Sequence, residues 1–349
     1  MKGSCLLLAC LMFAGEARGQ ALIHPAPELT DGATASVSST TPPAPHAPAP
    51  DPTSPSTVFR SGVDLVALNV VVTDGQQKFV TGLHPDNFAV FEDGVQQDVS
   101  YFAATAVPLD LAFLLDTSAS MTDKIATVQQ AATGFASKLR TQDRAMVVDI
   151  KDATRIVQPL TGDVSTVLTA IRGTTPRGGT GLYNGLYLTL KELVKQRRGN
   201  EDVRRQAIVV FSDGADTASL VSFDDVMDVA KQAGIAIYTI TLRSKFAVQQ
   251  ATSSGKHYFS QSEYSMKALA QETGARAFFP LEITELAGVY GSIGEELASQ
   301  YAIGYTPKNP RRDGAFRRVI VRIADHPGVQ VRTRSGYTAP RPEHRAALN

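Results

Sequence analysis

The stretch Leu109-Asp110-Leu111-Ala112-Phe113-Leu114-Leu115-Asp116-Thr117-Ser118-Ala119-Ser120 decides how the rest of the chain is read. Its first part is a short apolar run with little polar alternation, the pattern of a strand covered on both faces. The run stops at Asp116. In a near-extended loop, side chains two residues apart point the same way, so Asp116, Ser118 and Ser120 present one carboxylate and two hydroxyls together. Thr117 and Ala119 fall on the other side of the loop and read as packing residues.

Outward from this stretch, short apolar runs alternate with helical periodicity. Helices are expected over Met121 to Leu139, where Ile125, Val128, Ala132, Phe135 and Leu139 keep helical spacing, and over Val164 to Ile171, Leu182 to Val194, Phe223 to Ala233, Met266 to Thr273 and Ile283 to Ser299. Strands are expected over Arg144 to Ile150, Thr154 to Leu160, Gln206 to Ser212, Ile235 to Leu242 and Ala275 to Phe279. Buried strands separated by helices mean an α/β fold, a doubly wound and mostly parallel Rossmann-like sheet.

Ligands of such sheets bind beyond the carboxyl ends of the strands, and two further loops there carry oxygen. Gly178-Gly179-Thr180 precedes the Leu182 helix, its glycines letting backbone come close and its threonine offering a hydroxyl. Ser212-Asp213-Gly214 ends the Gln206 strand with a second carboxylate. Two carboxylates (Asp116, Asp213) and three hydroxyls (Ser118, Ser120, Thr180) are all hard oxygen donors, suited to Mg²⁺, Mn²⁺ or Ca²⁺ rather than zinc or copper. An ion with so few anionic ligands keeps water positions and positive character, so a carboxylate of a protein partner can replace a water.

In these residues the chain resembles the von Willebrand factor type A domain, whose metal-ion-dependent adhesion site joins an Asp-x-Ser-x-Ser loop, a Thr and a further Asp. The resemblance covers about residues 107 to 297 and implies that Asp116, Ser118, Ser120, Thr180 and Asp213 form that site in a non-catalytic adhesion or interaction module. Asn184 stands where many relatives have Asp, outside the implied ligands. The flanks resemble secreted bacterial proteins with a von Willebrand factor A-related acidobacterial domain, through Phe88-Ala89-Val90-Phe91-Glu92-Asp93-Gly94, Gly304-Tyr305 and Gly336-Tyr337. The alternative function, a metal-assisted hydrolase using the same ion, lacks a His or Glu placed as general base and a nucleophile with a base beside it.

Those flanks read as β structure. Val63 to Thr73, Lys78 to Val80, Phe88 to Phe91 and Gln96 to Phe102 precede the α/β part; Tyr301 to Tyr305, Phe316 to Ile323 and Val329 to Thr333 follow it. Either set alone is small for a core, so both are expected to build one discontinuous β-sandwich into which the α/β domain is inserted.

At the start, Lys2, the apolar run Leu6 to Phe13 and Ala17-Arg18-Gly19 have the form of a signal peptide cleaved after Gly19. A rival reading takes Leu7-Leu8-Ala9-Cys10 as a lipobox, but the apolar run before Cys10 is short for it. The protein is therefore expected outside the cytoplasm, secreted or in the periplasm or cell envelope. Nine of the nineteen prolines lie between His24 and Ser56, marking a semi-rigid, disordered tether. The chain then divides into 1–19 signal peptide, 20–57 linker, 58–106 N-terminal β segment, 107–297 α/β domain, 298–338 C-terminal β segment and 339–349 tail.

Composition excludes other classes. The 34 basic residues cancel the 34 acidic ones across 349 residues, which argues against a nucleic-acid binder. No later run approaches the roughly 20 apolar residues of a membrane helix. Cys5 and Cys10 are the only cysteines, so no disulfide or thiolate zinc site serves the remainder. The six histidines are scattered, no P-loop occurs, and Tyr290-Gly291-Ser292-Ile293-Gly294 lies within a helical pattern, unlike a nucleophile elbow. Asp123, Asp143 and Asp152 read as cap and loop charges, and Lys195 to Arg205 as a solvated connection, with a docking patch as the alternative. The long segment Ser244 to Gln261 is either a partner-shaping loop or an excursion.

Overall fold

A computed structural model describes residues 65–104, 107–198, 203–212, 215–243 and 260–341, all within the unit Ser61–Asn349. The signal-peptide and linker readings, Val63 and Asp64, Asp213-Gly214, and 244–259 of the long segment fall outside these residues.

The deciding strand, β5 (Leu109–Asp116), is buried along its whole length. Its alternation feeds two cores. Leu111, Phe113 and Leu115 face one cluster, while Ala112 and Leu114 face the other. Complete burial of each leucine or phenylalanine stabilises by about 1.5–3 kcal/mol. Parallel partners flank it: β6 (Arg144–Ile150) on one side and β8 (Arg205–Ser212) on the other. Beyond β8 come β9 (Ala236–Thr241) and the two-residue β10 (Ala277–Phe278); beyond β6 comes β7 (Arg155–Thr161), the one antiparallel member of this sheet.

Helices cover both faces. α1 (Ile125–Ala136), α2 (Val164–Arg172) and α6 (Leu286–Ala298) contribute Val128, Phe135, Val167, Ile171, Tyr290 and Ile293 to the first core. α3 (Leu182–Arg198), α4 (Phe223–Ala233) and α5 (Gln261–Glu272) contribute Leu186, Leu190, Val226, Ala230, Met266 and Leu269 to the second. The expected doubly wound α/β sheet is present.

The flanking strands make two four-stranded antiparallel sheets. One holds β13 (Gln330–Arg332), β1 (Val66–Thr73), β11 (Tyr301–Tyr305) and β4 (Val99–Ala103); the other holds β14 (Gly336–Thr338), β12 (Phe316–Ile323), β2 (Phe88–Glu92) and β3 (Val95–Gln97). Both share one core, in which Leu68, Val70, Phe88, Val90, Tyr301, Ile303 and Val319 meet. Each sheet mixes strands from before and after the α/β part, so a sandwich-like unit is built from both flanks. Buried Glu92 ties them, accepting from the Tyr305 hydroxyl at 2.9 Å and the Tyr337 hydroxyl at 3.0 Å.

Several expectations need correction. Gln96 to Phe102 is not one strand: it breaks at Asp98, with β3 joining one sheet and β4 the other, as a chain does when it turns a sandwich corner. The helix expected from Met121 starts at Ile125, after a 3-10 turn Ala119–Met121. α5 starts at Gln261, five residues before Met266, because Ser260 and Glu263 form a capping box. The strand β14 was not among those expected. Lys195 to Arg205 is solvated only in part: residues 195–198 end α3, where Lys195 and Arg197 are exposed, as is Val203, while the Arg204 and Arg205 guanidinium groups turn inward onto Asp110 Oδ1 and the Leu297 carbonyl.

Candidate metal centre

Three loops meet where β5, β6 and β8 end. Asp116, the last residue of β5, is fully buried. Its Oδ1 accepts from the Ser118 N–H at 2.9 Å, and its Oδ2 from the Ser212 hydroxyl at 2.7 Å. The carboxylate is thus gripped from its own loop and from the end of β8. The Ser118 and Ser120 hydroxyls lie 3.0 Å apart, as the spacing of two anticipates. Ser118 precedes the 3-10 turn, yet its side chain makes no capping bond.

The second loop is stitched to the first by backbone. The Arg177 N–H donates to the Thr117 carbonyl at 2.8 Å and the Ala119 N–H to the Gly178 carbonyl at 2.9 Å. Gly178 has φ +70°, a left-handed conformation that glycine adopts without steric cost. The Asp152 carboxylate accepts from the Gly179 N–H, so Asp152 holds the loop, in keeping with its reading as a loop charge. Thr180 is buried, its N–H donating to the Thr217 hydroxyl at 2.9 Å and its carbonyl accepting from the Thr217 and Ala218 N–H groups at 2.9 and 3.0 Å. Among the described residues no hydrogen bond engages the Thr180 hydroxyl.

The third loop is reached through Ser212; its neighbour Asp213 lies outside the described residues. Beyond it, a strap is tied to the first turn of α3. Asp216 Oδ1 accepts from the Tyr183 N–H at 3.3 Å, and Asn184 Oδ1 accepts from the Leu220 and Val221 N–H groups at 3.1 and 3.2 Å. Asn184 therefore secures the strap.

Sequence reasoning missed what lies beneath the first loop. Thr117 is not a plain packing residue: its buried hydroxyl donates to Asp149. Asp149 Oδ2 in turn meets Lys151 Nζ at 2.5 Å, with both side chains 6% exposed. The available signal was the i,i+2 spacing of Asp149 and Lys151 about the end of β6, which puts opposite charges on one side of an extended chain.

The structure brings the loops of Asp116, Ser118, Ser120 and Thr180 together. Among the described residues no three His, Cys, Asp or Glu side chains gather as a metal site; the donor set is mostly hydroxyl, with one carboxylate. Hard oxygen of this kind fits Mg²⁺, Mn²⁺ or Ca²⁺, with water completing the coordination.

Residues 110–281 match the family model of the von Willebrand factor type A domain. Among solved structures, a von Willebrand factor type A protein from Catenulispora acidiphila is 12% identical, over 82% of this chain and 76% of that one, with a TM-score of 0.45. The vWF domain of the type V pili tip protein Mfa5 from Porphyromonas gingivalis is 15% identical, over 56% of this chain and 96% of that one, with a TM-score of 0.42. Proximal thread matrix protein 1 from the mussel byssus is 14% identical with a TM-score of 0.45; the match covers 55% of this chain and about half, 48%, of that one. No curated protein matches.

Proposed function

We propose, from the premise that residues 110–281 are a von Willebrand factor type A domain, that the three loops hold a divalent cation and serve protein–protein recognition or adhesion. Mg²⁺ is the favoured ion, with Mn²⁺ and Ca²⁺ as substitutes. Asp116, Ser118, Ser120 and Thr180 would hold it, with Asp213 from the third loop. When bound, the ion supplies a Lewis-acidic position for an acidic side chain of a partner protein.

The observation that carries this reading is the grip on Asp116. The carboxylate is fully buried and oriented by Ser118 and Ser212, and two hydroxyls 3.0 Å apart belong to the same loop, a hard-oxygen set suited to a divalent cation. The chain's residues orient oxygen; among the described residues no His or Glu is hydrogen-bonded to Asp116, Ser118, Ser120 or Thr180 to activate a nucleophile. A non-catalytic module accounts for that better than a hydrolase.

Export fits such a role, and no helix among the described residues is long and apolar enough to cross a membrane. N-terminal sequencing of the native protein should find Gln20 first; an intact Met1 refutes cleavage. Mn²⁺ titration followed by electron paramagnetic resonance tests the site itself. One ion should bind, and Asp116→Ala should weaken it at least about 100-fold, the scale of a lost charged ligand. Equal binding by the parent and Asp116→Ala refutes the metal centre.

A further inference from the structure

Beside the N-terminal ends of β5 and β8 lies a cavity of about 790 Å³ between the α/β domain and the sandwich. Its size is that of a small-molecule site. Arg197, Arg204, Arg205, Arg311, Arg312 and Arg334 line it, and no aspartate or glutamate does among the described residues. Of these, Arg204 has a carboxylate partner, Asp110 at 2.7 Å, but that carboxylate also holds Arg144 at 2.8 Å.

Three others rest on neutral groups. Arg197 donates to Gln206 Oε1 at 3.0 and 2.6 Å and to the Ala233 carbonyl at 3.0 Å. Arg205 donates to the carbonyls of Leu297 and Val107 at 2.7 and 3.2 Å, while its Nε is buried with no partner among the described residues. Arg334 lies against Gly234 at the carboxyl end of α4 and over the Tyr337 ring at 5.6 Å, its Nε also buried with no partner among the described residues. Burial lowers the Arg334 guanidinium to about 10 against the pull of Tyr305, and Arg197 adds to the lowering; the group stays cationic at neutral pH. The helix terminus and the aromatic ring offset part of that charge. Six guanidinium groups around one cavity, none of them among the fully buried residues, leave its lining net positive and open to an anion.

We propose that this cavity binds a small organic oxyanion, whose carboxylate or phosphate groups meet Arg197, Arg205 and Arg334 and whose apolar part lies against Leu65 and Val203. Guanidinium forks suit both groups through paired N–H donors. Leu65 and Val203 line the cavity and remain 46% and 53% exposed, giving the ligand body an apolar wall. This site is separate from the metal-binding reading and does not depend on it.

The test uses the full exported chain after dialysis against EDTA, so that no divalent ion contributes. Inorganic phosphate and tricarballylate are titrated separately, each against sodium chloride of equal ionic strength, and unfolding is followed by calorimetry. The expected result is a saturable rise in Tm with at least one probe, about 3–6 °C at a tenfold excess over the dissociation constant. The responding probe identifies the anionic group. Arg197→Gln should weaken it about tenfold or more, the scale of a charge-assisted pair. Arg334→Gln should do likewise, and if that variant fails to fold, Arg334→Lys keeps the charge but loses the fork and should still weaken binding. A rise no larger than that with chloride, or a saturable rise unchanged in Arg197→Gln and Arg334→Lys, overturns the proposal.

Discussion

Lys151→Met isolates the support beneath the first loop. Lys151 Nζ and Asp149 Oδ2 stand 2.5 Å apart with both side chains 6% exposed, and Asp149 also receives the Thr117 hydroxyl. Removing only the cation strands a buried carboxylate, which typically costs 3–5 kcal/mol, on the order of 10 °C in Tm. Removing both charges should be far milder, because the pair's attraction is largely spent against desolvation. Urea denaturation of the parent, Lys151→Met and the double variant Asp149→Asn/Lys151→Met therefore decides the matter. The single variant should fall by several kcal/mol and the double variant recover at least half. Thr117 would lose a fixed partner in the single variant, so Mn²⁺ affinity should fall with stability. A single variant within about 1 kcal/mol of the parent, or a double variant as weak as the single, refutes the account.

Three further outcomes are expected. Gly178→Ala forces a side chain into a left-handed backbone and against the Asp152 carboxylate; it should cost about 1–2 kcal/mol in urea and weaken Mn²⁺ binding, and unchanged values for both contradict the geometry. Ser260→Ala removes the hydroxyl that accepts from the Glu263 N–H at 3.2 Å and should cost about 1 kcal/mol, read from the urea midpoint at constant slope. The hydroxyls of Thr166 and then Ser165 hold the Asp163 carboxyl at about 2, below its ordinary 3.8. A lowered acid contributes stability above its unfolded value and loses it as pH falls, so the Tm gap between the parent and Asp163→Ala should be full at pH 6 and narrow between about pH 4 and pH 2; a gap still undiminished at pH 2 contradicts the assignment.

The α/β sheet was legible because β5, β6, β8 and β9 are apolar runs bounded by residues that cannot continue them, and because helical spacing in α1 and α4 is regular. Spacing alone also brought Ser118 and Ser120 to one side of their loop. Harder to read were features set by distant partners. Asp98 gives no local sign that the chain changes sheets there, since the break is imposed by where β2 and β11 wait. The inward turn of Arg204 and Arg205 depends on a carboxylate and a carbonyl supplied by Asp110 and Leu297, neither adjacent in sequence. The early start of α5 was open to reading: Ser260 and Glu263 already formed a capping signature, but hydrophobic periodicity pointed to Met266.

Ala103 and Ala302 pair across β4 and β11, so the chain leaves for its α/β excursion and returns at the same rung. Mechanical tension entering from either terminus therefore meets the two antiparallel sheets before it can reach β5. Antiparallel rungs such as β1 on β11 would carry the load in shear, and the domain with its three loops would stay slack. An optical-tweezers trace with handles at both ends should show the sheets yielding first; a separate handle pair at residues 107 and 297 would load the enclosed domain directly and measure its own resistance.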